Sequence, residues 1–352
     1  MEAARVEFLR QLLSTPGPSG DELAAARVWR TEARTFADSV HADVAGNSFA
    51  LLDGPGPRVL LAGHIDEIGL MVTHIDENGF LFFAPIGGWD AQVLVGQRVR
   101  LLGQRGDVVG LIGKKPIHLL KPDERDQVSK IERLWIDIGA TSRDEALERV
   151  RVGCSGVIDA PLVELPNGRI ASRSIDNRVG AFVVLEALRL LSQERPRAAV
   201  AAVATTQEEI TFGGAMAAAF SFDPQVAIAV DVTFATDHPE SDKQQWGDVK
   251  LDGGPVLSRG SANSPLVFQR LLEVAEREQI PYSLQMAPRY TGTDADAIHK
   301  ARGGIASAVV SIPNRYMHSP NELVALADLE RAARLIAAFV RSIERADEFI
   351  PE

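Results

Sequence analysis

Four continuously apolar runs constrain the fold more than any other feature of the chain. They lie at residues 58–62, 198–204, 226–230 and 305–312. Strands without polar alternation are buried on both faces, as in a parallel sheet that helices cover on each side. Helical patterns at 177–192, 265–278 and 329–343 separate or follow these runs. The alternation of strand and helix predicts an α/β architecture.

The middle of the chain has a different pattern. Short β-like runs at 81–84, 98–102, 108–112 and 134–138 are separated by glycines, which is typical of a small all-β unit. We therefore predict a β domain at 73–169, inserted into a discontinuous α/β domain made of 1–72 and 170–352. Near the start, Ser19 is expected to cap a second helix, with Glu22 completing a capping box.

Composition excludes several classes of protein. The chain has 352 residues and 45% hydrophobic content, typical of a globular protein of about two domains. The net charge is −11, and no Lys/Arg-dense run is interleaved with aromatics, so nucleic-acid binding is not expected. A single cysteine, Cys154, cannot form an internal disulfide. We find no signal-peptide core and no apolar stretch of about 18 residues, so we expect a cytoplasmic protein without a membrane partner.

Histidines and acidic residues follow the apolar runs. The residues in question are His64, Asp66, Glu208, Glu209, Asp231 and His318, with Asp176 just before the helical pattern at 177–192. In open α/β sheets, sites form beyond the carboxyl ends of the strands. Imidazole and carboxylate together suit Zn²⁺, Co²⁺ or Mn²⁺. More than four such groups exceed one tetrahedral zinc and suit two metals that share a carboxylate.

Each of these residues also has an ordinary structural explanation. A histidine can be a satisfied core residue, and an aspartate can be a helix cap or a turn residue. Their convergence on one sheet edge favours a metal site. Asp66 stands two residues after His64, so in an extended segment the two share a face, as in a carboxylate–histidine–metal arrangement.

The neighbours Glu208 and Glu209 separate two chemistries. In an extended chain adjacent side chains point to opposite sides, so one can bind metal while the other reaches an activated water. Glycoside cleavage instead needs two carboxyls about 5–9.5 Å apart across the sugar. The pair therefore favours metal-assisted hydrolysis.

Several of these segments together resemble the M42 family of metallo-aminopeptidases, which includes the tetrahedral and glutamyl aminopeptidases. The matching segments are 62–69, 174–178, 206–209, 230–231, 292–295 and 316–320. The resemblance implies a three-layer, zinc-peptidase-like catalytic domain with an inserted β domain.

The resemblance also implies roles for individual residues. His64 and Asp231 would hold one metal, Glu209 and His318 the other, and Asp176 would bridge them. Glu208 would act as the general base, and Asp66 would be the partner of His64. Gly292, Thr293 and Asp294 would belong to the wall near the N-terminal residue of the substrate. The cofactors would be two divalent ions, with Zn²⁺ expected first and Co²⁺ or Mn²⁺ as alternatives.

The implied activity is removal of N-terminal residues from short peptides. Family members that accept acidic residues often carry a lysine before the segment Gly254-Pro255. Gly253 stands there in this chain, so neutral N-terminal residues are expected to be preferred, unless Arg259 or Arg289 supplies the missing charge. Alternative functions are a related zinc-dependent deacylase or carboxypeptidase, an endo-β-1,4-glucanase, and a metal-stabilised assembly subunit without activity.

The resemblance further implies an assembly. The inserted domain would pair subunits, and the dimers would build a hollow homo-oligomer of twelve subunits. A plain dimer is the alternative.

Overall fold

The structure of the protein, a computed structural model, describes residues 1–351. The first elements are α1 (Ala3–Ser14), α2 (Leu23–Ala33), β1 (Ser39–Ala42), β2 (Ser48–Leu52) and β3 (Arg58–His64). The middle elements are β4 (Gly69–Ile75), β5 (Leu81–Ile86), α3 (Ala91–Leu94), β6 (Arg98–Leu101), β7 (Val108–Gly113), β8 (Trp135–Asp137), α4 (Arg143–Leu147) and β9 (Ser155–Ile158). The remaining elements are β10 (Val163–Leu165), β11 (Arg169–Ser172), α5 (Ile175–Gln193), β12 (Ala199–Thr205), α6 (Glu208–Thr211), α7 (Gly213–Phe222), β13 (Val226–Phe234), α8 (Lys243–Trp246), β14 (Val256–Gly260), α9 (Pro265–Arg277), β15 (Ser283–Ala287), α10 (Ala295–Ile298), β16 (Ala306–Asn314), β17 (Glu322–Ala325) and α11 (Leu326–Arg341).

An eight-stranded sheet with the order β1-β2-β12-β3-β13-β16-β14-β15 forms the centre of the fold. Its middle strands β12, β3, β13 and β16 are parallel neighbours. Helices α1, α2, α5, α9 and α11 pack on one face of this sheet, and α7 and α10 pack on the other. The four apolar runs are these middle strands, buried on both faces because helices cover them. The predicted three-layer α/β class is confirmed.

The inserted β unit is a closed barrel with the strand order β4-β5-β8-β7-β6-β9. It has its own apolar core, which includes Leu70, Leu81, Val99 and Ile112. The barrel strands run from Gly69 to Ile158, compared with the span of 73–169 expected from the sequence. Strand β11 instead pairs with β17, in a separate three-stranded sheet with β10. The barrel is thus a distinct packing unit beside the three α/β layers.

The start of α2 differs from the prediction. Ser19 does not cap this helix, and the N-cap residue Glu22 makes no side-chain cap hydrogen bond. The Ser19 hydroxyl donates instead to Asp66 Oδ2 at 2.7 Å. A fully buried carboxylate requires donors, and this one recruits the serine from the loop before α2. Among residues 1–351, no helix is both long and apolar enough to cross a bilayer.

Candidate metal centre

The carboxyl ends of the middle strands bring the predicted residues together. Strand β3 ends at His64, and Asp231 lies in the last part of β13. Glu208 begins α6, three residues after β12 ends. Asp176 lies at the start of α5, and His318 lies in the loop between β16 and β17. All five reach one edge of the sheet.

Asp176 lies between two histidines. The His64 Nε2 atom is 3.2 Å from Asp176 Oδ1, and the His318 Nε2 atom is 3.3 Å from Asp176 Oδ2. His64 also faces Asp231 Oδ1 at 3.8 Å, and His318 faces Glu209 Oε1 at 3.4 Å. Each oxygen of the Asp176 carboxylate therefore faces its own imidazole, and each imidazole faces a further carboxylate. This is the arrangement that a bridging ligand between two cations requires.

The two neighbouring glutamates lie in a helical turn and not in an extended segment. Gln207 has a left-handed backbone conformation with φ of 58°, and α6 begins directly after it. Glu208 Oε2 lies 3.6 Å from His64 Nε2, while Glu209 faces His318. The premise that adjacent side chains point to opposite sides of a strand is therefore wrong here. The glutamates do meet different histidines, but through the geometry of the turn.

Asp66 joins His64 to the turn that carries the glutamates. Its Oδ1 accepts a hydrogen bond from the Glu208 backbone N–H at 3.1 Å and lies 3.4 Å from His64 Nδ1. Its Oδ2 accepts from the Glu209 N–H at 3.2 Å, in addition to Ser19. The His64 Nδ1 atom also lies 3.2 Å from the Asp66 carbonyl oxygen. One buried carboxylate thus contacts four residues: His64, Ser19 and the backbone of both glutamates.

Sequence reasoning missed a second buried carboxylate, Glu322. Its Oε2 accepts from the Asp176 backbone N–H and its Oε1 accepts from the His318 backbone N–H, both at 2.9 Å. The only signal in the sequence was a charged residue at the start of a short apolar strand, four residues after His318. Such a residue usually lies in solvent, but the Glu322 side chain is 2% exposed.

The crowding of like charges perturbs proton affinities in the cluster. Burial, followed by the carboxylates of Asp231 and Asp294, raises the pKa of Glu208 to about 11 against the opposing effect of His64. Burial alone would lower the pKa of His318, but the carboxylates of Asp176 and Glu209 outweigh it and raise the pKa to about 11. Perturbation on this scale is typical of functional sites.

The donor set fits divalent cations. Among the described residues, two groups offer three ligand atoms within 4.8 Å of one another: His64 with Asp176 and Glu209, and His64 with Glu208 and Asp231. Glu209 Oε1 is buried without a hydrogen-bond partner. Four carboxylates packed around two imidazoles are unfavourable unless cations neutralise them. Imidazole nitrogen and carboxylate oxygen are ligands for Zn²⁺, Co²⁺ and Mn²⁺.

A cavity of about 600 Å³ opens beside the cluster. Its lining includes Phe234, Trp246, Met286, Arg289 and Tyr290, together with cluster residues. Sequence reasoning named Arg289 as a possible charge in the pocket but missed the other four, which lie at the end of β13, in α8 and in or just after β15. They give the cavity a wall that is largely apolar and aromatic.

Two of the three expected substrate-binding residues lie in this wall. Gly292 and Thr293 line the cavity. Asp294 is 2% exposed, and its Oδ2 accepts a hydrogen bond from the Thr205 hydroxyl. Asp296, which sequence reasoning missed, accepts from the Thr291 and Gly292 backbone N–H groups and so fixes this loop.

Gly253 does not lie where the expected substrate preference would require it. Gly253 is not part of the cavity lining; its N–H donates to the Lys250 carbonyl. The expected preference for neutral residues therefore cannot rest on Gly253.

The loop after β5 lies close to His318. A Cβ on Gly88 in this loop would lie 3.2 Å from His318 Nδ1. The loop after β5 thus closes over the metal cluster.

Comparison with known proteins identifies the family of the chain. A sequence model of the M42 glutamyl aminopeptidase family matches residues 46–335. The chain belongs to the M42 family of metallo-aminopeptidases. This M42 chain is 37% identical over 345 residues to the lysyl aminopeptidase of Pyrococcus furiosus, covering 97% of this chain and 98% of the relative.

Solved structures support the same assignment. The TET aminopeptidase of a marine sediment Thaumarchaeota archaeon superimposes with a TM-score of 0.93 at 35% identity, over 97% of each chain. The TET1 peptidase of Pyrococcus horikoshii, described as assembling into a tetrahedron or a large octahedral shell, gives a TM-score of 0.86 at 31% identity. That match covers 96% of the M42 chain and 100% of the neighbour.

Proposed function

We propose that this M42 chain removes N-terminal residues from short peptides with a centre of two divalent ions. The observation that carries the proposal is the Asp176 carboxylate, whose two oxygens face His64 and His318 at 3.2 and 3.3 Å. His64 and Asp231 would hold one ion, Glu209 and His318 the other, and Asp176 both. Two such ions lower the pKa of water towards neutrality and polarise the carbonyl that is attacked.

Glu208 is proposed as the general base. It lines the cavity beside the cluster and is 7% exposed. Two cations bound beside it would oppose the burial and the like charges that raise its pKa, so in the metal-loaded site it would be ionised and could accept the proton of the attacking water. It would then pass that proton to the amine that leaves. Asp66 holds the backbone N–H of Glu208 and so keeps the base directed at the cluster.

The charge of the site favours a free N-terminus. Carboxylates at the cavity floor attract the cationic α-amine of a peptide. A carboxypeptidase would need cations for the substrate carboxylate, but four carboxylates line the cavity against one lysine or arginine, Arg289. Phe234, Trp246 and Met286 offer an apolar surface to the first side chain. We therefore propose neutral, apolar N-terminal residues as the preferred substrates.

A glucanase remains the second candidate because of the aromatic lining. Phe212, Phe234, Trp246 and Tyr290 all border the cavity, and aromatic faces suit sugar rings. The cluster of imidazoles and carboxylates nevertheless favours metal-assisted hydrolysis of peptides. The presence of Glu208 at the cluster argues against an assembly subunit without activity.

One assay distinguishes these candidates. Chelator-treated protein is tested on a panel of aminoacyl chromogenic substrates, on their N-acetylated forms and on a soluble β-1,4-glucan. We expect no activity without metal, and restoration by Zn²⁺, Co²⁺ or Mn²⁺ on free-amine substrates only, with leucyl exceeding glutamyl. Full activity of the metal-free protein would contradict the two-metal centre. Cleavage of only the acetylated substrates or of the glucan would favour the alternatives.

We also propose that the chain forms a homo-oligomer, a dodecamer built from barrel-mediated dimers. The support is the likeness to a TET1 peptidase described as a tetrahedron or octahedral shell. The barrel contributes none of the proposed metal ligands, and it presents exposed apolar side chains at Val109 and Leu111. A shell would restrict access to unfolded peptides. The cytoplasmic location remains a prediction.

A further inference from the structure

Glu322 contacts the metal centre only through the protein backbone. Its two carboxylate oxygens accept hydrogen bonds from the backbone N–H groups of Asp176 and His318, both at 2.9 Å. Asp176 faces both histidines, and His318 belongs to one side of the centre. Glu322 therefore connects two elements, the start of α5 and the loop before β17, at the points where each contributes a ligand.

Both groups that face Glu322 are hydrogen-bond donors. A carboxylate satisfies two donors with its two oxygens, whereas the amide of glutamine offers one oxygen and one NH₂ group. In glutamine the NH₂ group would face a backbone N–H, and one donor would be left buried without a partner. The geometry therefore requires a carboxylate and not merely a side chain of this length.

We infer that Glu322 is a positioning residue that fixes Asp176 and His318 as a pair and thereby sets the affinity of the ion they share with Glu209. The inference rests on the proposed two-metal centre and extends it. Partners outside the ligand set commonly change metal affinity about 10–100-fold when they are replaced. The ion held by His64 and Asp231 shares only Asp176 with this pair, so its affinity should change less.

The chain offers a matched control in Asp328. This carboxylate is fully buried and accepts the backbone N–H groups of Asp252 and Gly254 at 2.7 and 2.8 Å. It belongs neither to the metal-binding groups nor to the cavity lining. Its Oδ1 also faces Arg331 Nη1 at 3.3 Å. Asp328→Asn therefore imposes the same chemical change, with the added loss of this ion pair, at a site without metal ligands, and it should reduce stability without changing metal affinity.

The experiment is calorimetric titration of the chelator-treated full chain with Co²⁺, together with the visible spectrum of the bound Co²⁺. We expect wild type and Asp328→Asn to bind two ions alike. In Glu322→Gln the affinity for one of the two ions, the one assigned to His318 and Glu209, should fall about 10–100-fold and its Co²⁺ spectrum should change. Wild-type binding and spectrum in Glu322→Gln would overturn the inference. Fewer than two ions on the wild type would instead overturn the proposed centre.

A second variant covers the case in which Glu322→Gln does not fold. Glu322→Asp keeps both acceptor oxygens but is shorter by one methylene, so it cannot reach both N–H groups at their present distance. The affinity for the ion assigned to His318 and Glu209 should again fall. Two ions bound with wild-type affinity by Glu322→Asp would contradict the positioning role.

Discussion

Glu208 and Glu209 are adjacent in sequence, but they face different histidines of the cluster. We predict that Glu208→Gln keeps both metals and lowers kcat about 10²–10⁴-fold, because a general base is lost while the shape is retained. Glu209→Gln should lose metal, since it removes a charged ligand whose Oε1 has no other partner. Added metal should partly restore its activity.

Metal analysis of the two purified variants, beside their kcat values, decides the assignment. Each variant is the control for the other, because both make the same change one residue apart. Metal loss in Glu208→Gln with full occupancy in Glu209→Gln would mean that their roles are reversed.

The residues that could be predicted from sequence are those with a positional signal. His64, Glu208, Glu209 and Asp231 follow or end apolar strands, and strand ends meet at one edge of a parallel sheet. Glu322 had no such signal, because its partners are backbone N–H groups 146 and 4 residues away. Ser19 was misinterpreted because a serine three residues before a glutamate also matches a helix cap, and only the fold shows that Asp66 lies beside it.

Two glycines set the distance between the elements that carry His64 and Asp176. A Cβ on Gly63 in β3 would lie 2.5 Å from the carbonyl carbon of Gly180 in α5, and a Cβ on Gly180 would lie 2.6 Å from the Val230 carbonyl oxygen. Helix α5 therefore packs directly against β3 and β13, with no room for a methyl group.

We predict that Gly180→Ala destabilises the protein by about 1–3 kcal/mol, the usual cost of overpacking, despite the better helix propensity of alanine. Gly303→Ala is the control, because a Cβ there meets nothing within 4 Å; its effect should stay within about 0.5 kcal/mol. Urea unfolding of the metal-free proteins measures both. Equal stability of the two variants would show that α5 and β13 can separate at no cost.

Long elements were predictable and short connections were not. The middle strands and α5, α9 and α11 have strong apolar patterns, because burial on one or both faces selects their residues. The turn before α6 depends on a left-handed Gln207, φ 58°, and no glycine signals it. Strand β11 pairs with β17 across a register that joins Ile170 to Val324, a long-range contact that local patterns cannot encode.

At the scale of the whole molecule, the role of the barrel has to be tested. Deleting the barrel would not test this role alone, because it would also remove Gly87 and Gly88 in the loop after β5, which lie against Glu209 and His318. A substitution on the barrel surface is a more specific test. Val109 and Leu111 alternate along β7, and both point outwards, 57% and 54% exposed. Their neighbours on β6 include Arg100 and Arg98, so the apolar pair has a charged rim.

We predict that Val109→Asp combined with Leu111→Asp reduces the assembly, because two carboxylates would have to be desolvated in a subunit contact, which is costly even beside Arg98 and Arg100. The folded chain should persist, since both side chains are more than half exposed before the change.

Leu23→Asp on α2, where the leucine is also 57% exposed, is the matched control on the catalytic domain. Light scattering on the metal-loaded proteins should show a large species for wild type and Leu23→Asp, and one of half that mass or less for the double variant. Aminopeptidase activity on a small chromogenic substrate should remain in all three, since no proposed ligand is altered. An unchanged mass for the double variant would place the subunit contacts away from this face of β7, and the proposed role of the barrel surface would be wrong.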